Sequence, residues 1–392
     1  MDEVLPVFDL APLVRLLAAG GPDDDDDASA DLAAALERDA ALRQLCAGVA
    51  RCLVDASCVL VRDARVSPGA NNAFLNAMEA YFARPDDEKR ADCRPHLHYQ
   101  VGRTPAGVET PRCVADPASC AAALSRQRPG HEARAPTRPD AKERFFWRVG
   151  PRPASTEFPE LNAEQVVPRG CEAWWSRLLD GWGGALLAAT EAVAVAAAHG
   201  LGLEGGPRCL ADLMRGGPHL LAPTGSDLSP GGGAAEGDTL AGFHQDLNLL
   251  TIHGQARYPG LRVWLRDGRR LAVRVPAGCL LVQAGQQLER LTGGRVAAGW
   301  HEVVVPREAL ENARERTKGG RAGAGWRVSS TVFAHVASDA TLRPLLSYAR
   351  AGEEDEERKE DEEAWRRRHA PVKAGAQVQA ELEAIKLAAV KQ

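Results

Sequence analysis

The sequence predicts a mixed α/β fold in which helices precede and flank an antiparallel sandwich or barrel of short strands. Two patterns carry that expectation. Apolar residues in the first half recur at helical spacing, and the second half runs through six β-type segments separated by turn signals. A chain of 392 residues suffices for two domains or one large one. With 45% hydrophobic and 26% charged residues, it is neither disordered throughout, nor a collagen-like repeat, nor a small disulfide scaffold. The 48 basic and 53 acidic residues leave a net charge of −5, so no field of positive charge exists to bind a nucleic-acid backbone.

The elements follow in order. Leu5-Pro-Val-Phe-Asp-Leu10 is a short apolar stretch, and Leu13, Leu16 and Leu17 continue it as a helical face. Five adjacent carboxylates, Asp23 to Asp27, repel one another and predict a solvated loop; the alternating ligands and central Gly of a calcium loop are missing. Residues 31–54 have helical spacing, 57–62 read as a strand, and 72–83 form a helix with Phe74, Met78 and Phe82 on one face. From Lys89 to Ser155 the periodicity weakens. His96 and His98 there have the i, i+2 spacing of ligands on a strand, but no carboxylate or third His stands near them. Residues 172–203 predict a long helix, most apolar from Ala185 to Ala198, with Trp174, Trp175 and Trp182 as core anchors.

The β-type runs are 243–252, 261–265, 271–275, 280–283, 300–305 and 326–336, divided by turns such as Tyr258-Pro-Gly260 and Arg266-Asp-Gly268. A charge run at 353–368 reads as exposed helix or coil, and 378–390 as a last helix with Leu382, Ile385 and Ala389 on one side. No apolar run reaches the roughly 18 to 20 residues of a membrane span. The start has neither the basic region nor the long apolar region of a secretory signal. Nine cysteines without a C-x-x-C pair predict reduced structural thiols and a cytoplasmic protein.

The chemistry concentrates in the strand-rich half. In His244-Gln-Asp246, strand alternation puts imidazole and carboxylate on one face. His301 opens another apolar strand, His301-Glu-Val-Val-Val305; with Val at 305 it cannot be the H-E-x-x-H of a zinc helix. Two His and one carboxylate on neighbouring strands make the facial triad of a non-haem Fe(II) centre, with positions left open for a co-substrate and O2. His253, at odd spacing from His244, is expected on the opposite strand face. Arg327 and Ser329 share a face of the last strand, and an Arg inside an apolar barrel needs an anionic partner. That partner is either a buried acid of the protein or the distal carboxylate of a dicarboxylate ligand.

With His244, Asp246, His301, Arg327 and Ser329 in the order H-x-D … H … R-x-S, the chain resembles the isopenicillin-N-synthase-like group of Fe(II)/2-oxoglutarate-dependent dioxygenases. Tyr81-Phe-Ala-Arg-Pro-Asp-Asp-Glu-Lys89 is similar to that family's FF-x-L-P-x-E-E-K segment, and the opening strand and the turns at 259–261 and 275–278 follow its order. The resemblance implies a double-stranded β-helix (jelly-roll) core flanked by N-terminal helices and the long central helix. It implies Fe(II) on His244, Asp246 and His301, with 2-oxoglutarate held by Arg327 and Ser329. A small organic substrate would then be oxidised, with release of succinate and CO2 and with ascorbate as a reductant.

Three departures stand out: no Tyr occupies 219–225, where 2-oxoglutarate users carry N-x-Y; a Gly-rich connection at 318–325 lengthens the path to Arg327; and Gly231-Gly-Gly233 suggests a mobile lid. The missing Tyr leaves open a same-fold oxidase that uses no 2-oxoglutarate, and a non-catalytic jelly-roll binding protein is the remaining alternative. The expected organisation is a mostly helical region at 1–155, a helix plus jelly-roll core at 156–346, and a charged tail with a terminal helix at 347–392. Trp300, Tyr99 and Trp147 are read as pocket wall or core packing. The expected partners are a small-molecule substrate and O2, with no nucleic acid and no membrane.

Overall fold

The computed structural model describes residues 5–19, 26–351, 361–385 and 387. Two sheets form its centre. The larger has ten strands, in the order Val7–Asp9, Cys58–Arg62, Leu280–Ala284, Leu250–His253, Thr331–Ala334, Leu220–Leu221, Glu143–Arg148, Thr224–Asp227 and Trp326–Val328, with Gly102–Thr104 beside Glu143–Arg148. The smaller has the order Arg270–Ala272, Leu261–Trp264, Trp300–Val304 and Thr239–Gln245, all antiparallel. Both sheets line one cavity, giving the jelly-roll core that the sequence implies. Strands from the first 155 residues are built into the large sheet, so its hydrogen bonding crosses the sequence boundary drawn there.

Two of the long β-type runs are each split. The first strand ends at Gln245 in the small sheet, and the chain crosses over residues 246–249 to start Leu250 in the large one. The last run breaks between Val328 and Thr331 as it passes from one strand partner to another. Sandwich cores need such crossings, and a continuous apolar run conceals them.

The helix Trp175–Leu201 lies against the back of the large sheet and against Ala40–Ala56. Its length and composition would let it cross a membrane, but 67% of its most apolar window is buried inside the protein, as a core helix requires. Small residues bring the two helices together: a Cβ on Gly200 would meet the Cys46 carbonyl oxygen at 2.2 Å. Trp175 and Trp182 are buried, and the Trp182 indole N–H donates to Ser330 Oγ at 2.8 Å, while Trp174 stays partly exposed. The helical stretch at 31–54 resolves into Asp26–Arg38 and Ala40–Ala56, divided by Asp39, whose carboxylate caps the second helix.

Several expectations need correction. Of the acidic loop, Asp23 to Asp25 lie outside the described residues, and Asp26 begins a helix. The charge run is partly outside them too, but its end, Glu362–Arg368, is a helix anchored by a buried Trp365 that donates to the Gly293 carbonyl. Cys113 and Cys120 form a disulfide where only reduced thiols were expected. The Gly-rich connection is held: Arg321 pairs with the buried carboxylate of Glu79, as do Arg257 and Arg316.

Candidate metal and dicarboxylate site

The strands Thr239–Gln245 and Trp300–Val304 pair with His301 directly opposite His244. That register, and the turn of Asp246 just past the strand end toward His244, bring three ligand atoms within 4.8 Å of one another. Asp246 Oδ1 lies 3.7 Å from His244 Nε2 and 3.8 Å from His301 Nε2, and the imidazole centroids are 4.2 Å apart. The supporting contacts fix which atoms face inward. His244 Nδ1 lies 2.5 Å from the Gly242 carbonyl oxygen and His301 Nδ1 lies 3.2 Å from that of Gly299. Because a carbonyl only accepts, each Nδ1 carries the proton and each Nε2 turns a lone pair to the common centre. Thr251 donates to Asp246 Oδ2 at 2.6 Å and leaves Oδ1 for the same centre.

The electrostatics agree. Burial pushes the His301 imidazole down to about 3, with His244 adding to the effect, so it stays neutral as a ligand must. Burial opposes ionisation of Asp246, yet His301, His244 and the Thr251 hydrogen bond outweigh it and lower its pKa. Two imidazoles and a carboxylate suit a divalent transition metal, Fe(II) among them, and the trio is the only such cluster among the described residues.

His253 is not part of the trio, but the parity expectation for it was wrong. It belongs to the other sheet and faces the same cavity, because the strand assumed to carry it ends at Gln245. What withholds it is hydrogen bonding: Nε2 lies 2.8 Å from Gln283 Oε1 and Nδ1 3.0 Å from Thr331 Oγ1. His96 and His98 form no such cluster either; a 3-10 turn, Pro95–Leu97, replaces the strand they would need.

Arg327 is buried, and burial pushes its guanidinium down to about 10. Among the described residues it makes no ion pair, and its hydrogen bond runs from Nε to the Pro259 carbonyl at 3.4 Å. Of the two partners open to it from sequence, the buried acid is thus absent from the described residues, and the forked end is free for a ligand carboxylate. Ser329 sits in the step after the strand, where its Oγ accepts from the Thr224 N–H at 3.0 Å and keeps its own proton to donate. Where a Tyr was missed, Ser226 pairs opposite Arg327, and Ser226 and Thr224 both line the cavity.

That cavity, about 450 Å³, joins the trio and Arg327 to a wall that sequence did not foresee. Glu109, Asp140, Lys142 and Arg144 come from the stretch without periodicity, and Glu381 and Leu382 from the C-terminal helix Ala374–Ala384. Arg144 donates to Glu109 at 2.9 Å, Lys142 pairs with Glu109 and Asp140, and Arg112 reaches Glu381 at 2.8 Å. Burial works against ionised Glu109, but Arg144 and Lys142 hold it down at about 2. Among suggested wall residues, Trp147 is core, donating to Asp180 at 2.8 Å, and Trp300 stacks on Phe243; Tyr99 packs with Phe158 in a separate cluster. Residues Gly231 to Gly233 do not line the cavity.

Residues 232–336 match the family model of the 2OG-Fe(II) oxygenase superfamily. No curated protein matches the chain in sequence. Among solved structures, a Caulobacter crescentus protein described as of the 2OG-Fe(II) oxygenase family is 22% identical, with a TM-score of 0.63 over 87% of this chain and 94% of that one. A full-length Neurospora crassa protein solved in complex with alpha-KG is 15% identical, with a TM-score of 0.64 over 97% and 96%. The rice dioxygenase for auxin oxidation is 19% identical, with a TM-score of 0.53 over 97% and 95%.

Proposed function

We infer, from a jelly-roll core carrying a 2OG-Fe(II) oxygenase superfamily domain at 232–336, that this protein is an Fe(II)- and 2-oxoglutarate-dependent dioxygenase acting on a small organic substrate. The observation that carries it is the presence, in one cavity, of the His244–Asp246–His301 trio and a buried Arg327 with no acid partner among the described residues. Fe(II), when bound, supplies the redox chemistry that couples O2 and 2-oxoglutarate to oxidation of a C–H bond, releasing succinate and CO2.

The chain's residues do the remainder. His244 and His301, with Nδ1 protons spent on Gly242 and Gly299, and Asp246, oriented by Thr251, hold the metal. Arg327 and the Ser329 hydroxyl receive the distal carboxylate of 2-oxoglutarate, and no acid among the described residues competes for the guanidinium. Thr224 and Ser226, the latter opposite Arg327, offer hydroxyls to the same cavity. The two sheets and the C-terminal helix wall the cavity. Hydroxylation is the expected outcome.

The deciding experiment loads the protein with Fe(II) and measures 2-oxoglutarate consumption and succinate formation with and without metal. Succinate formed only with both Fe(II) and 2-oxoglutarate supports the reading. O2 uptake that needs no 2-oxoglutarate would replace it with the same-fold oxidase.

A further inference from the structure

Five acids lie on the lining of the cavity, and four of them have no oxygen left to offer a substrate. Glu109 meets Arg144 and Lys142, Asp140 meets the Gly242 N–H and Lys142, and Glu308 takes both terminal nitrogens of Arg274. Asp246 has one oxygen on Thr251 and turns the other to the metal centre. Glu381 alone keeps a spare. Its Oε2 accepts from Arg112 Nη1 at 2.8 Å, and its Oε1 has no hydrogen-bond partner among the described residues. The side chain is 21% exposed and Oε1 retains accessible surface, so a molecule in the cavity can reach it.

Two anchors hold this carboxylate beside the trio. Val378, Leu382 and Ile385 recur at i, i+4 and i+7 with Glu381 among them, so one face of Ala374–Ala384, continued by Ile385, lines the cavity. That face packs with Leu247, the residue after the ligand Asp246. From the other side, Arg112 opens the short helix whose Cys113 packs with Phe243, the residue before His244. The Cys113–Cys120 disulfide fastens that segment. Burial raises the Glu381 carboxyl, and Arg112 and then His244 oppose it, so the group stands within the field of a metal ligand.

The pair dictates what it can receive. Arg112 is 36% exposed, and only its Nη1 is committed to a hydrogen bond, since Nη2 stands 3.7 Å from Asp116 Oδ2. An open acceptor thus lies next to open donors. A substrate anion would face Glu381, and a cation would face Arg112. A hydroxyl satisfies both sides, donating to Oε1 and accepting from the guanidinium. The apolar helix face around the pair suits a mainly apolar body.

We propose that Glu381 and Arg112 are the specificity-determining pair for the molecule to be oxidised, and that they select an uncharged, mainly apolar substrate carrying a hydroxyl group. The inference rests on the dioxygenase reading, which makes this the wall that the substrate shares with the metal. A pair that merely tied the C-terminal helix to the wall would not rank ligands by charge.

Calorimetry on the Fe(II)- and 2-oxoglutarate-loaded protein, without oxygen and at neutral pH, tests it with four probes of similar shape. 4-Ethylphenol should bind at least about tenfold more tightly than 4-ethylanisole, which has no donor, 4-ethylbenzoate, an anion, and 4-ethylbenzylamine, a cation. Glu381→Gln frees Arg112 and should tighten 4-ethylbenzoate about tenfold. Arg112→Met frees Glu381 and should do the same for 4-ethylbenzylamine. Both variants should narrow the lead of the phenol over the anisole. Either charge-selective gain supports the pair, and a gain of binding cannot come from a chain that fails to fold. A wild type that binds none of the probes or ranks an ion first, or variants that leave the ranking unchanged or lose all four probes equally, would overturn it. The two readings fail separately: protein that binds 2-oxoglutarate but ranks the probes without regard to either variant loses only this one, whereas failure to bind 2-oxoglutarate removes the dioxygenase reading itself.

Discussion

Replacing Arg327 by Met should produce two effects of opposite sign. The guanidinium is buried without an acid partner among the described residues, and burial lowers it from 12.5 to about 10. That depression is a folding cost of roughly 3 kcal/mol at neutral pH, since each pKa unit is about 1.4 kcal/mol. Met keeps much of the volume and removes the charge, so the ligand-free variant should unfold at an equal or higher denaturant concentration than the wild type. The ligand-bound state should behave oppositely. Each hydrogen bond to a carboxylate contributes about 1.5–3 kcal/mol, so the loss of one weakens 2-oxoglutarate about tenfold and the loss of two about a hundredfold or more. Arg327→Lys should recover part of the affinity, because a point charge cannot reproduce the fork. Denaturant unfolding of the apo-protein and anaerobic titration of 2-oxoglutarate into the Fe(II) form measure the two effects. An apo-protein destabilised by several kcal/mol with 2-oxoglutarate affinity intact would show that Arg327 is structural, and the assignment would be wrong.

His301→Ala and Asp246→Ala should abolish stoichiometric Fe(II) binding while His253→Ala retains it, as equilibrium dialysis would show, because both His253 ring nitrogens are already engaged. Thr251→Val removes the hydrogen bond that orients Asp246 and should weaken Fe(II) by about 10–100-fold. Acid should destabilise the fold through the buried pair His219 and His335, each held near 3 by burial, with His219 Nδ1 accepting the His335 N–H at 3.0 Å. Their unfolded pKa is higher, so the unfolded state binds more protons, and stability falls as pH drops from about 6.5 toward 3. At pH 5 that is roughly 2 kcal/mol for each, and His219→Gln should flatten the decline in unfolding midpoint with pH. Glu79→Gln should cost about 3–5 kcal/mol, because Arg257, Arg316 and Arg321 all converge on that buried carboxylate. Through the 254–260 segment, whose Pro259 carbonyl receives Arg327, the same change should raise the KM for 2-oxoglutarate more than it lowers kcat. A KM unchanged in Glu79→Gln would limit Glu79 to a structural role.

The metal trio was legible because its grammar is local. Alternation predicts that His244 and Asp246 share a face, and Asp246, the first residue past the strand, still turns to His244 there. Its third member was not local: nothing in the sequence states that His301 pairs opposite His244, and the resemblance supplied what periodicity could not. The misplacement of His253 shows the same boundary from the other side. Parity is sound within one strand, but the crossover after Gln245 resets it, and four apolar-flanked residues at 246–249 give no sign of a change of sheet.

The unforeseen half of the site has a physical reason for its silence. Glu109, Asp140, Lys142 and Arg144 are inside because they neutralise one another, so burial there follows pairing and leaves no apolar period to detect. Glu143–Arg148 is buried on both faces with three charged residues among six, a pattern that reads as loop until its partners are known. The C-terminal helix likewise reads as a tail, because the surface that Leu382 covers is assembled by chain segments more than a hundred residues away. Iron and dicarboxylate chemistry is thus carried mainly by backbone-ordered strands with a readable period, whereas the remaining cavity wall is built from long-range ion pairs and the C-terminal helix. Substitutions can alter that wall without disturbing the strand alternation that assembles the trio, which leaves one core free to serve different substrates.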